Sequence, residues 1–389
     1  MTLTRRHFLA ATGAVSLLPI QSLRAAEPPV LKAAIIGHTG RGDFGHGMDI
    51  CFTDVPGVEV VAIADPVEAG RAKAAARSKA ARQYADYREM LVKEKPHLVS
   101  IATRWSDQHR DMALAAIAAG AHVFMEKPIT VTLAEADEIL AAADAAGRKV
   151  AVAHQMRMGP SIVHLWQKVQ EGLIGDLLQM HAFGKQDARA GGEDMLVLGV
   201  HLFDLMRLFA GDPRSCTARV THQGTDITPA DGRAVKEQIG KVAGDEIFAQ
   251  FAFDNGINGT FTSKGRLKDV SGHWGVELVG SKGSARILTD IWPRVYWKPI
   301  QPWTADGRED RWIPVDGDPG LVNGVDKSTT AANRRIVDDL ILGAKEDRSP
   351  ACSGRNATAA LEMVMSVYHA ALDGKRVGIP LKDRSHPLG

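Results

Sequence analysis

From residue 30 the chain alternates short apolar runs with longer stretches in which apolar residues recur every three or four positions. The runs cover 30–36, 58–64, 98–102, 122–125 and 149–153, and helical spacing fills segments such as 107–119 and 133–146. Strand and helix in alternation predict βαβ units and a parallel sheet over residues 30–153. Past residue 153 the pattern changes. Helical spacing at 160–171 and 198–209 gives way to strand-like runs at 218–222, 247–253, 259–263, 274–279 and 285–288. Asp254-Asn255-Gly256 and Gly280-Ser281-Lys282-Gly283 read as hairpin turns between such runs. Two more helical patterns, 331–342 and 357–372, close the chain. Residues 154–389 are therefore expected to form an α+β domain on a large, mostly antiparallel sheet, its last helices packing back toward the first domain.

Composition narrows the class. The 389 residues are 45% hydrophobic and 24% charged, with 47 Lys+Arg against 46 Asp+Glu. Such balance gives no footprint for nucleic acid or a membrane surface, and the apolar fraction is too high for a disordered chain. Cys51, Cys216 and Cys352 lie far apart without partner spacing, so neither a zinc site nor a disulfide framework is expected, and no metal is assigned. The first 26 residues read differently. Arg5-Arg6-His7-Phe8-Leu9, a short apolar run and Ala25-Ala26 resemble a signal peptide of the twin-arginine type. The run is shorter than the ~20 residues of a membrane span, so no anchor is expected and the destination is periplasmic or secreted. Cleavage after Ala26 removes Arg5, Arg6 and Arg24 and no acid, which leaves a mildly acidic protein suited to a small neutral substrate.

The first strand runs into Gly37-His38-Thr39-Gly40-Arg41-Gly42-Asp43-Phe44-Gly45. Thr39 stands where a second fingerprint glycine would be, yet Gly37, Gly40 and Gly42 leave the backbone free to turn and approach a pyrophosphate at a helix N-terminus. The second strand ends at Asp65, whose carboxylate is placed to accept the ribose hydroxyls of adenosine and to repel a 2′-phosphate. Loop and acid together favour NAD over NADP.

The run Ala119-Gly120-Ala121-His122-Val123-Phe124-Met125-Glu126-Lys127-Pro128 carries the strongest signal. With Ala102-Thr103, Asp107-Gln108-His109, Gln155-Met156-Arg157, Gly172-Leu173-Ile174-Gly175 and a helix bearing His201, it makes the chain resemble the glucose–fructose oxidoreductase/inositol dehydrogenase (Gfo/Idh/MocA) family. The resemblance implies a Rossmann domain that binds NAD, tightly in an exported member, and a homodimer or homotetramer built through the C-terminal sheet. It implies cofactor contacts from Thr39, Arg41, Thr103, Trp105, His109 and Glu126. Lys127 would orient a substrate hydroxyl at the carboxyl edge of the sheet, beside a Pro128 peptide that is often cis in the family. Relatives often place an Asp one helical turn before the histidine, and here that position is Val197. The departure leaves His201 as general acid/base, with Asp194 as a replacement carboxylate and Arg157 and Asp204 as substrate contacts. Trp292, Tyr296, Trp297, Trp303 and Trp312 form an aromatic series to which no catalytic role is given.

Three readings follow. The first is NAD-dependent oxidation of a sugar, glycoside or polyol hydroxyl. The second uses the same parts in a redox-neutral glycoside hydrolase or lyase that oxidises, eliminates and re-reduces. The third is a sugar-binding protein without turnover, which Lys127 and His201 argue against.

Overall fold

A computed structural model describes residues 30–265, 274–289, 292–301 and 311–389. The signal peptide read in residues 1–26, and Trp303, lie outside the described residues. Strands β1 (Leu31–Ile36), β2 (Val58–Ala64), β3 (Arg82–Tyr84), β4 (Leu98–Ile101), β5 (His122–Met125) and β6 (Val150–Val152) form a parallel sheet in the order β3-β2-β1-β4-β5-β6. This is the doubly wound order whose switch point, between β1 and β4, opens a crevice at the carboxyl ends of the strands. Helices α1 (Glu68–Ser78), α2 (Tyr87–Glu94), α3 (His109–Ala118) and α4 (Leu133–Ala146) make the crossovers. The start of α4 follows from its sequence, because Thr132 and Glu135 form a capping box, and Gly147 in the left-handed region ends it.

One expectation fails here. No α-helix joins β1 to β2; residues 37–57 form successive turns with a single 3-10 turn at Gly45–Gly47. Gly40, Gly42 and Gly47 take positive φ, as do Asp43, His46 and Asp54, and six such residues cannot propagate a right-handed helix. A helix N-terminus is therefore absent from this loop.

The second half opens with α5 (Pro160–Gln170) and β7 (Leu177–Phe183), followed by a single turn α6 (Gly192–Asp194), a π-helical segment Met195–Gly199 and α7 (Val200–Ala210). Its large sheet adds β8 (Ser215–His222) and β9 (Thr225–Asp226), and a separate pair is formed by β10 (Arg233–Ala234) and β11 (Lys241–Val242). The remaining strands are β12 (Glu246–Ala252), β13 (Asn258–Lys264), β14 (Gly275–Gly280), β15 (Ser284–Leu288), β16 (Arg294–Lys298), β17 (Ile313–Pro314) and β18 (Val377–Gly378). The order is β17-β16-β15-β14-β7-β13-β12-β8-β18, with β9 on β8, and only β7–β13 is parallel among these pairs. The inner face carries α7 and α9 (Gly354–Asp373), while α8 (Thr329–Lys345) reaches the first sheet. Phe203 of α7 meets the rings of Phe251 and Phe261 edge-on at 5.3 and 5.0 Å, contacts worth about 0.5–1.5 kcal/mol each beyond area burial. They pin the helix that carries His201. Asn333 of α8 donates to the His46 carbonyl at 2.9 Å and so ties the glycine loop to the far end of the chain.

Candidate active site

β5 delivers Glu126 and Lys127 to the carboxyl edge of the parallel sheet, and the Lys127–Pro128 peptide is cis. Glu126 is buried between two partners. One oxygen meets His46 Nδ1 and the other accepts the Lys127 backbone N–H at 2.9 Å. Burial pushes the Glu126 carboxyl up, but the His46 hydrogen bond and the nearby Lys127 charge outweigh it and hold the group below the usual range. Lys127 is only 9% exposed, and Nζ donates to the carbonyl of Val197 at 3.1 Å. Burial pulls its ammonium below the ordinary lysine range, while Glu126 and Glu237 pull the other way. The glutamate thus faces inward, holding Lys127 and His46.

Val197 acquires its part through the backbone. It lies in the π-helical segment, a geometry in which carbonyls depart from regular α-helical pairing and which recurs at functional sites. Where relatives are expected to hold a carboxylate, this chain presents a carbonyl oxygen to the same ammonium. His201, four residues on, is buried at 6% exposure with no partner on Nδ1. Burial sets its imidazole well below the ordinary range, and His154, Lys127 and His46 push it further down. The ring is therefore neutral.

Asp194 does not replace the missing carboxylate. Its oxygens accept from Ser263 Oγ at 2.6 Å and from the backbone N–H groups of Lys185 and Gln186 at 3.2 and 3.0 Å. A Cβ on Gly184 would lie 2.2 Å from Asp194 Oδ2, so the acid fills the notch under that loop. The side chain points to the large sheet because the donors are there. Arg157 and Asp204 also depart from expectation. Arg157 Nε sits 3.0 and 2.9 Å from the two Asp204 oxygens, and its Nη2 donates to the Asp204 carbonyl at 2.9 Å. The pair is buried and saturates itself. Asp204 Oδ2 lies 3.8 Å from His154 Nδ1, and the His154 ring stands 5.1 Å from that of His201, so the pair reaches His201 through His154.

At the glycine loop, Gly42 with φ 88° meets the β4 turn so closely that a Cβ would lie 2.5 Å from the Trp105 backbone N. Its carbonyl accepts from Arg104 N at 3.2 Å. Arg41 pairs with Asp107 and lies 5.5 Å over the Trp105 ring, which closes the loop against that turn. Thr39 and Asp65 are joined: the Thr39 N–H and hydroxyl donate to Oδ2 at 2.9 and 2.6 Å, and Val67 N–H donates to Oδ1 at 2.8 Å. Of about four acceptor directions on a carboxylate, three are filled. Asp65 nevertheless lines a cavity of ≈ 230 Å³ with Gly37, His38, Arg88 and Gln108, at the ends of β1 and β2 where an adenosine would lie. Thr103 and His109 are buried braces. The Thr103 hydroxyl turns back to the Trp105 carbonyl, and His109 faces the carbonyls of Thr103 (2.8 Å) and Pro128 (3.0 Å). Their side chains have partners within the protein.

A second cavity, of ≈ 260 Å³, brings Lys127 and His201 together with His46, Lys185 and Arg189. Gln155, Thr329, Met156, Leu198 and Trp274 complete the described lining. Neither Asp194, Arg157 nor Asp204 lines it. His46, His154, Lys185 and Arg189 are site residues that sequence reasoning passed over. His154 follows β6 directly, so the strand-end rule that picked Lys127 could have found it. Lys185 and Arg189 follow β7, a strand whose mixed polarity gave no clear signal. Of the aromatic series, Trp312 packs under Arg286 (4.2 Å) and Trp292 under Arg335 (5.3 Å), outside this cavity.

Comparison with known proteins agrees with this layout. Residues 31–154 match the family model described as an oxidoreductase family NAD-binding Rossmann fold, and 170–379 match its C-terminal alpha/beta domain. A D-apiose dehydrogenase of Paraburkholderia graminis is 24% identical over 92% of this chain and 92% of its own length. An inositol 2-dehydrogenase of Salmonella typhimurium is 38% identical over 39% of this chain and 45% of that enzyme. Among solved structures, a levoglucosan dehydrogenase in complex with NADH and levoglucosan superposes with TM-score 0.73 at 20% identity, covering 90% of this chain and 100% of that one.

Proposed function

The chain belongs to the Gfo/Idh/MocA family of NAD-dependent oxidoreductases, and from that premise we propose that it oxidises a secondary hydroxyl of a carbohydrate or polyol. The observation that carries this is the meeting of Lys127 and His201 in one cavity at the carboxyl edge of the NAD-binding sheet. The residues fit the adenosine end of the cofactor through the cavity beside Gly37 and Asp65, while the N–H groups of Gly37, His38, Thr39, Gly40, Arg41, Asp43 and Gly45 already donate within the protein. When bound, NAD supplies the hydride acceptor. Lys127 Nζ, steadied by the Val197 carbonyl, donates a hydrogen bond to the substrate oxygen and favours its alkoxide character. Neutral His201 takes the hydroxyl proton. Dehydrogenases of apiose, inositol and levoglucosan among the similar proteins support a sugar or polyol as substrate class.

The same reading includes a tightly held NAD, export by the twin-arginine route, and a dimer or tetramer through the outer face of the large sheet. Phe248 stands 56% exposed there, in register with Thr262 and, beyond it, Phe183. Purified protein should carry NAD(H) through dialysis and form NADH with a panel of sugars and polyols. Protein that neither binds NADH nor turns over any of them overturns the reading. Cleavage of an aryl glycoside without net NADH overturns it in favour of the redox-neutral alternative.

A further inference from the structure

The charge of the substrate can be read from the cavity wall. Among the described residues no carboxylate lines the Lys127–His201 cavity, whereas Lys127, Lys185 and Arg189 do. Its lining is rich in donors. Gln155 spends its Nε2 on Asn333 at 2.9 Å, so its carbonyl oxygen, the Thr329 hydroxyl and the imidazoles of His46 and His201 are the side-chain acceptors left. A neutral polyol brings one donor for every oxygen and would find few acceptors, and buried donors without acceptors are costly.

The nearest acids are arranged behind the wall. Glu126 is fully buried on His46 and Lys127. Asp187 takes Arg189 Nε at 3.0 Å and Nη2 at 2.5 Å, and stands 3.7 Å from Lys185 Nζ. Asp187 therefore fixes the guanidinium edge-on and leaves Nη1 with no bond to it, while the Lys185 ammonium has only that longer ion pair. Asp194 and Glu237 also lie close enough to act on Arg189, but neither lines the cavity, so the charged groups that face it are the cations. Asp194, through its bonds to the Lys185 and Gln186 N–H groups, holds the loop that presents both.

We propose that the substrate is a carboxylated carbohydrate, a uronic or aldonic acid, whose carboxylate is bound by Lys185 Nζ and the Nη1 edge of Arg189 while its reacting hydroxyl lies at Lys127 and His201. The inference rests on the hydroxyl-oxidation reading above and adds the anionic group to it. Charge-assisted hydrogen bonds of this kind are roughly twice as strong as neutral ones.

Calorimetric titration of the full-length, NADH-loaded protein tests it with paired probes: D-glucose and D-glucuronate, D-galactose and D-galacturonate, and glucose 6-phosphate. At least one acid is expected to bind about tenfold or more tightly than its neutral partner, the factor that a single charge-assisted bond supplies. Lys185→Gln should reduce that preference to about twofold with NADH affinity unchanged, and Lys185→Arg should keep it. Equal or tighter binding of the neutral sugar overturns the inference, as does binding of no acid by NADH-loaded protein, tighter binding of the phosphate, or a preference that survives Lys185→Gln. Should that variant fail to fold, the wild-type pairs and Lys185→Arg decide alone. Protein that loads no NADH defeats the oxidoreductase reading instead, so the two failures are told apart.

Discussion

At the scale of single residues, burial decides what each titratable group in the cavity can do. Lys127 has lost water and gained one carbonyl partner, and His201 has lost water and gained none on Nδ1. A donor and a neutral acceptor then stand ready at one opening. Lys127→Met removes the donor and should lower kcat/KM by roughly 10²–10⁴ while NADH binding is kept, measured by steady-state kinetics beside NADH fluorescence titration. A loss confined to KM would place Lys127 in binding alone. Asp194→Asn tests the opposite assignment. Its carboxylate holds three donors under the Gly184 loop, so the variant should lose about 1–3 kcal/mol in denaturant melts with no new ionisation in the kcat profile. Disappearance of a pH limb would return Asp194 to proton transfer. The sequence identified Lys127 and His201 because side chains at a strand end and on a helix leave a pattern. It could not identify the Val197 carbonyl, since a backbone oxygen has no letter. Nor could it say that Arg157 and Asp204 satisfy one another, because that pairing exists only after α7 packs beside the turn Gln155–Met158.

Elements show the same division. Mostly apolar runs, such as β2 with only Glu59 polar and β5 after His122, sit in the buried parallel sheet and were legible to within a residue. β3, with sequence Arg-Gln-Tyr, and β7, whose buried positions are outnumbered by half-exposed ones, lack a clean alternation; tertiary pairing makes them strands. The turn-rich loop 37–57 was legible as glycine-rich but not as helix-free, because its positive-φ Asp43, His46 and Asp54 carry no glycine signature. The docking of α1 offers a test at this scale. Thr39, in the place of a fingerprint glycine, lies over Gly70, where an added Cβ would come 1.7 Å from Thr39 Oγ1. Gly→Ala within an exposed helix ordinarily stabilises by about 1 kcal/mol. Here the sign should reverse: Gly70→Ala displaces Thr39 from Asp65 and should lower both the melting temperature and NADH affinity. Thr39→Gly combined with Gly70→Ala should recover stability, and a simple additive loss in the double-mutant cycle would refute the contact.

For the whole molecule, net charge is a poor guide to the site. A chain with 47 Lys+Arg against 46 Asp+Glu folds into a cavity whose described wall is basic, because acids such as Glu126 and Asp187 stand behind the cations that they hold. The distribution of buried histidines predicts a second global property, the pH dependence of folding. Burial lowers His122, His154 and His386 to about 4 each. Unfolded, each returns to about 6.5. Between those values the unfolded chain binds more protons than the native one, so stability rises with pH across the window and levels off above it. Read downward, stability is lost as pH falls from about 6.5 toward 4 and protons enter on unfolding. Asp49, whose carboxyl burial raises despite Arg77, works against this trend at the acid end, while Asp187, lowered to about 2 chiefly by its Arg189 hydrogen bonds, extends it below the window. Melting temperatures of the NADH-free protein should therefore fall steadily between pH 7 and pH 4.5. His154→Asn, which removes the titrating ring beside His201, should make that slope shallower even though the variant is less stable at pH 7. A melting temperature flat over the interval, or a slope indifferent to His154, would mean that these rings are hydrated and that the cavity behind Lys127 is wetter than its packing implies.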